Sequence, residues 1–281
     1  MRLRAATLCM IAIVATAQSA RAWDSGTHRM IARLALRALP ASPLKDALAA
    51  NERALEAASV APDTILRDRY GHAESIRHYI DLGRYGADPL SALSPDMSTM
   101  LSRYGKYRVD KAGTLPWTIE SEAAIVRGDW QRGDCSGVVT HSGYLAHYVG
   151  DASQPLHTTT RHDCSRAQRG CHARIENAAN HRTREIERAA APGVRVTEIA
   201  GVWPATIAEI SRSHALVGRI SADDRAARSA AGTGPAYGEA LFADDAALFS
   251  TQIADAASTL ASIWLFEWKQ AGSPNRCAAR Q

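Results

Sequence analysis

Aromatic residues are scarce: Phe, Trp and Tyr together make up 6% of the 281 residues, and Phe occurs only 3 times. So thin a supply argues against a broad stacking platform for single-stranded nucleic acid. Charge of one sign is lacking too. Three of the 33 Lys and Arg fall in residues 1–22, which hold no acid, so the remainder balances 30 basic against 29 acidic residues and implies no large polyanion-binding surface. There is no CxxC pair to suggest a cysteine–zinc staple, and no GxSxG or P-loop pattern to suggest an activated serine or a phosphate cradle. Alternating strand patterns are nearly absent, and no linker, repeat or low-complexity run divides the chain.

What is present begins with a targeting segment. Arg2 and Arg4 give the positive start, Leu8 to Ala17 is apolar but too short to span a bilayer, and Ala20, Arg21 and Ala22 form a small-residue cleavage site. Residues 1–22 are therefore expected to be removed and the protein exported, to the periplasm or beyond. Residues 23–281 are enough for one well-buried domain. Cys9 leaves with the leader; Cys135, Cys164, Cys171 and Cys277 remain, and an exported chain with four cysteines invites two disulfides. Cys164 to Cys171 would close a short loop and Cys135 to Cys277 would tie in the C-terminus, although three pairings are compatible with the sequence. Helical periodicity predicts a first helix through Met30, Ile31, Leu34, Ala35 and Leu39, a second run through Leu44, Leu48 and Leu55, and helices around 122–130, 136–150, 172–190, 197–213 and 239–269. In the last of these Phe249, Ile253, Leu260, Ile263, Trp264 and Trp268 form one apolar stripe, read as core packing. Pro204 is expected to kink or split its helix, and residues 218–238, rich in Gly, to form a surface loop.

The densest chemistry lies between His147 and Glu176. His147 and Asp151 stand four apart, so on a helix an imidazole nitrogen and a carboxylate oxygen leave one face and converge. Pro155 breaks that helix and turns the chain, so that His157 can return to the same place from a loop. His172 and Glu176 repeat the four-residue step. Two such pairs and one more His in 30 residues point to a multinuclear metal site rather than a single structural ion.

Upstream, Trp23 becomes the first residue once the leader is gone. A free α-amine titrates near roughly 8, so a metal can displace its proton, and the amine and carbonyl of one residue can chelate the same ion. His28 follows five residues later. The VAPD stretch brings Asp63 and RHYID brings His78, each among apolar neighbours that predict partial burial, and buried Asp and His need partners. Five histidines, three carboxylates (Asp63, Asp151, Glu176) and the terminal groups of Trp23 could serve three zinc ions at about four ligands each, if one carboxylate bridges and water completes the set. His72, His141, His162, His181 and His214 lack such pairing and are assigned to the surface or to support behind the ligands.

Taken together, Trp23 as a new N-terminus, His28, Asp63, His78, the HYVGD…QPLH run and the HARIE pair resemble the superfamily of zinc-dependent phospholipases C and single-strand-specific nucleases. The resemblance spans Trp23 to Glu176; the C-terminal third carries no motif of its own. It implies an all-α fold, a single mostly helical domain with a trinuclear zinc cleft. It further implies that Asp63, His78, His147 and Asp151 hold one zinc, that His157, His172 and Glu176 hold a second, and that Trp23, His28 and Asp151 hold the third, with Asp151 as the bridge. The implied chemistry is hydrolysis of a phosphoester by metal-activated water, which Asp63 would orient or deprotonate. Arg67, one turn after Asp63, is a candidate clamp for the phosphate if that turn is helical; a solvated surface Arg is the plain alternative.

The substrate signals are mixed. The short interval from His157 to His172, Glu at 176 and the stretch GCHARIEN resemble the phospholipase C branch. A His only five residues after the terminal Trp resembles the nuclease branch. Tyr79 and Asp81 stand where nucleases of the superfamily grip a base, but the lipases also carry an aromatic and an Asp there. The expectation is a phospholipase C type of phosphodiesterase acting on phospholipid. The alternatives are a single-strand-specific nuclease or 3'-nucleotidase acting on RNA and DNA, and a non-catalytic zinc-stabilised binding protein. No protein partner is implied.

Overall fold

A computed structural model describes Trp23 and residues 25–277, the side chain of Asp244 apart. The targeting segment expected over residues 1–22 lies outside the described residues. The architecture is all-α, and no strand occurs among the described residues. No helix among them is long and apolar enough to cross a membrane.

At the centre stands the helix Cys135–Ser153, which carries His147 and Asp151. Local chemistry fixes where it begins. The preceding helix Leu115–Arg132 starts with Pro116 in its first turn, where a missing N–H costs nothing. It stops at Gly133, whose left-handed conformation (φ 71°) lets its N–H return to the carbonyls of Asp129 and Trp130. Asp134 then accepts from the N–H of Gly137 at 2.9 Å and caps the central helix. Two residues thus reverse the chain, and the two helices pack side by side.

Around this pair, Ser25–Ala38, Glu52–Ala58, Val202–Ala215 and the long Ala236–Gln270 pack on the central helix. The apolar stripe from Phe249 to Trp268 is buried throughout, as its periodicity predicts, and each large side chain so buried contributes roughly 1.5–3 kcal/mol relative to exposure. Gly143 lets Glu52–Ala58 seat against bare backbone: a Cβ there would come within 2.8 Å of the Leu55 carbonyl. That close approach carries the end of the 52–58 helix, and with it Ser59, to the flank of His147.

Four expectations are corrected. The loop expected over 218–238 is mostly helix, Val217–Ala231, followed by a turn in which Gly232 is at φ 70°. Gly218 apart, the glycines of this stretch lie after the helix rather than within it, and Asp224 inside it is fully buried between Arg174, Gln168 and Tyr237. The single helix expected over 172–190 is two, Cys171–Asn180 and Thr183–Ala190, parted by a turn at His181 and Arg182. Pro204 neither kinks nor splits a helix, because Val202–Ala215 begins only two residues before it. Residues 194–199, expected to be helical in part, run outside any helix. There the N–H groups of Arg195 and Thr197 donate to the hydroxyls of Ser258 and Ser262 at 2.9 and 3.0 Å. The cysteines pair as Cys135–Cys277 and Cys164–Cys171.

Candidate metal centre

Six separate elements deliver the eight expected side-chain donors to one buried place. His28 comes from the first helix, Asp63 and His78 from single turns of 3-10 helix, and His147 and Asp151 from the central helix. Pro155 follows the end of that helix, and His157 sits in the 3-10 turn Pro155–Thr158; His172 and Glu176 lie one turn apart on Cys171–Asn180. All eight side chains are buried.

Backbone carbonyls set the tautomers. His147 Nδ1 lies 2.9 Å from the Ser59 carbonyl and His157 Nδ1 lies 2.6 Å from the His78 carbonyl. A carbonyl only accepts, so both Nδ1 atoms carry the proton and both Nε2 atoms present a lone pair. The lone pair of His147 Nε2 faces His78 Nδ1 at 3.0 Å and Asp151 Oδ2 at 3.4 Å. That of His157 faces His172 Nε2 at 3.1 Å and Glu176 Oε1 at 3.8 Å. His28 stacks on His147 with ring centroids 3.8 Å apart and brings its Nε2 to 3.7 Å from Asp151 Oδ1.

Three groups of donor atoms each fall within 4.8 Å of one another: His28, Asp63 and His147; His78, His147 and Asp151; and His157, His172 and Glu176. The last matches one of the expected sets in full. The second is contained in another. His28, expected with Asp151, lies as close to Asp63 and His147. Trp23 is buried; its Nε1 donates to Ser153 Oγ at 3.3 Å and its ring meets Phe249 edge-on, so Trp23 is pinned to a residue two positions past Asp151.

The electrostatics fit a cation. Both ring nitrogens of His28, Asp151 Oδ1 and His172 Nδ1 are buried with no hydrogen-bond partner among the described residues, a costly arrangement for protein alone. Burial, reinforced by the neighbouring imidazoles, holds His28 and His78 well below the ordinary histidine value. Burial lowers His147 to about 3 despite its bond to Ser59, and lowers His157 as well. Burial and the nearby Asp63 carboxylate push Asp151 well above the usual carboxylate range. Against its burial, His172 alone of the five is raised, by Glu176; the other four, held neutral beside these carboxylates, make a donor set that a borderline divalent ion such as zinc accepts.

A cavity of about 370 Å³ opens onto the cluster, walled by Arg67, His78, Tyr79, Asp81, His157 and His172 among others. Arg67 is no free surface residue: its Nη2 meets Asp63 Oδ1 at 2.8 Å. Burial raises both Tyr79 and Asp81, and Arg84 Nε reaches Asp81 Oδ2 at 3.1 Å. Of the histidines set aside, His214 contacts Thr158 Oγ1 at 3.1 Å and His141 contacts Asp129 at 2.6 Å, while His162 joins the cavity wall.

The supporting residues behind the donors went unread in the sequence. Glu74 accepts from the Tyr148 hydroxyl and from Arg77 and stands 3.4 Å from His78 Nε2; Gln154 donates to Glu176 Oε1 at 2.9 Å. Asp163 accepts from the N–H groups of Gly170 and His172 at 2.8 and 3.3 Å and steadies the entry to the last helix of the site. A signal existed for Glu74, four residues before His78, the same helical step as the donor pairs.

A family model for zinc dependent phospholipase C matches residues 27–201, a span that holds every expected donor except Trp23. Among solved structures, the chain is similar to the alpha-toxin of an avian strain of Clostridium perfringens, with 16% identity and a TM-score of 0.55 over 92% of this chain and 67% of the toxin. It is similar as well to the alpha-toxin of Clostridium absonum, with 15% identity and a TM-score of 0.51 over 87% of this chain and 64% of that one. At such identities the likeness is one of fold, and this chain spans about two thirds of the toxins' length. No protein of curated function matches the sequence significantly. The family model covers well over half of the chain, and the chain belongs to the zinc-dependent phospholipase C family.

Proposed function

We propose that the protein is an exported phosphodiesterase of the phospholipase C type that works with three zinc ions and begins, after processing, at Trp23. The observation that carries the reading is the family match over residues 27–201, which encloses the buried His and carboxylate groups, of which His78, His157 and His172 line one cavity. In the assignment we favour, Asp63, His78, His147 and Asp151 hold one ion, His157, His172 and Glu176 a second, and Trp23, His28 and Asp151 the third. The bare Nε2 atoms of His147 and His157 and the unpartnered Asp151 Oδ1 support it.

The chemistry zinc would supply here is Lewis acidity toward a phosphoryl oxygen and acidification of water towards neutral pH. The chain's own part is positioning and proton transfer. Asp63, steadied by Arg67 of the cavity wall, orients water for attack on phosphorus and takes its proton. Arg67 offers its remaining N–H groups and its charge to the phosphate. As the new phosphorus–oxygen bond forms, the bond to the diacylglycerol oxygen breaks and that oxygen takes up a proton, leaving a phosphorylated head group. Tyr79 and Asp81 hold the head group from the cavity wall.

The nuclease reading draws on the same two residues, since an aromatic ring and a carboxylate can grip a base. Against it stands the family match, which is to a phospholipase C model. The test is a side-by-side assay on phosphatidylcholine vesicles and on single-stranded RNA and DNA, with and without chelator. Chelator-sensitive release of phosphocholine is expected. Nucleotide release without lipid hydrolysis would overturn the reading in favour of the nuclease, and zinc binding without either activity would favour a zinc-stabilised binding protein.

A further inference from the structure

Exposed apolar side chains are not scattered over this molecule. Five large ones stand out among the described residues: Ile65 at 69% exposure, Tyr70 at 52%, Leu101 at 39%, Tyr107 at 78% and Ile125 at 37%. Four of them lie on the helices Ile65–Tyr70, Met97–Tyr104 and Lys106–Ala112. The first of these helices supplies Arg67 to the cavity wall and the last supplies Lys111, so two of the three border the candidate active site, and Met97–Tyr104 packs on the last.

Charge gathers on the same elements. The chain as a whole has nearly as many acids as bases. Yet Met97–Ala112 holds Arg103, Lys106, Arg108 and Lys111 against Asp110 alone, and Lys106 already engages that carboxylate at 2.6 Å. Met97–Tyr104 and Lys106–Ala112 pack together about Gly105, at φ 75°, and Tyr107 projects just after this turn between Lys106 and Arg108. An amphipathic ring flanked by cations suits the head-group layer of a bilayer: the ring beds at the boundary and the cations meet lipid phosphates. Single-stranded nucleic acid would use the cations and the tyrosines, but it gains nothing comparable from Ile65 and Leu101, which have no π-face on which a base can stack.

We infer that this cleft rim, with Tyr107 and Arg108 at its tip, docks on an anionic phospholipid surface and so presents the cavity to the bilayer. The choice of lipid as substrate rests on the phospholipase reading; the docking itself does not. Membrane contact would then be made by the helical domain itself, through a small patch of cations and apolar side chains.

The test measures co-sedimentation of the full chain with vesicles of phosphatidylcholine alone and of phosphatidylcholine mixed equally with phosphatidylglycerol, at low and high salt. Hydrolysis of a soluble short-chain phosphodiester is followed alongside. The unaltered protein should partition onto the mixed vesicles, less so at high salt. The variant Tyr107→Ser/Arg108→Glu should partition about tenfold less, keep its circular dichroism, and hydrolyse the soluble substrate at the original rate. Ile65→Ser should weaken binding to vesicles without changing its salt dependence. Equal partitioning of the double variant and the unaltered protein would overturn the inference, as would preferential binding of a single-stranded oligonucleotide. Vesicle binding that depends on Tyr107 and Arg108 without lipid hydrolysis would sustain the rim and sink the phospholipase reading. Undiminished lipid hydrolysis by the double variant would do the reverse.

Discussion

Gly150 lies against His28 so closely that no side chain fits between them: a Cβ on Gly150 would stand 2.9 Å from His28 Nδ1 and 3.1 Å from Ile31 Cδ1. The first helix reaches the central one through this gap, and His28 is thereby brought over His147 and towards Asp151. Gly150→Ala should push His28 outward, lower the zinc content by about one ion in the three-ion assignment, and cost roughly 1–3 kcal/mol of stability through overpacking. Metal analysis and thermal unfolding of the variant check both.

The buried histidines give the metal-free protein a definite pH dependence. His28, His78, His147 and His157 have lowered values in the folded chain, His147 reaching about 3. Unfolded, they titrate near roughly 6.5 and so bind more protons than the folded chain as pH falls below that value; stability present above it is lost, by at most ~1.4 kcal/mol per pH unit per group. Asp151, His172, Asp245 and Glu267, with raised values, work in the opposite direction, so the histidine contribution is read against a variant that lacks one lowered group. Relative to His147→Gln, the chelated protein should lose melting temperature from pH 7 down to pH 5, and parallel profiles for the two would contradict the account of neutral donors.

Asp224 holds the helix that carries His172 and Glu176. Its carboxylate accepts from Arg174 Nη2 at 2.9 Å, from Gln168 Nε2 at 2.8 Å and from the Tyr237 hydroxyl at 2.9 Å. Asp224→Ala leaves Arg174 without its counter-charge and should destabilise the protein by about 3–5 kcal/mol. If the network only supports the fold, zinc content at low temperature stays unchanged; if it positions the donors as well, the ion at His157, His172 and Glu176 is held more weakly against chelator.

Processing before Trp23 should matter to the site. Protein beginning at Trp23 is expected to bind more zinc and hydrolyse faster than protein with one extra residue in front, because the extra residue turns a free amine into an amide without a lone pair to offer. Equal zinc content in the two forms would remove the Trp23 amine from the donor set.

The donors were legible because metal chemistry restricts residue types and helical geometry restricts spacing: His147 with Asp151, and His172 with Glu176, announce themselves at four residues. The all-α class and the stripe from Phe249 to Trp268 followed from periodicity. Glu74 carries a signal in its four-residue step to His78, whereas Gln154 and the Ser59 carbonyl were not legible, since their roles come from tertiary approach across 22 and 88 positions. Val217–Ala231 was obscured by glycine: Gly218 stands in its first turn, and Gly232, Gly234 and Pro235 follow its end and give the whole segment the composition of a loop.

The central claim is a three-ion site hinged on Asp151, and zinc counting tests it most directly. Elemental analysis of the processed protein should approach three zinc ions per chain, and Asp151→Ala should lose more than one of them while the His157, His172 and Glu176 ion remains. A single zinc in the unaltered protein, or the loss of no more than one in the variant, would contradict the account.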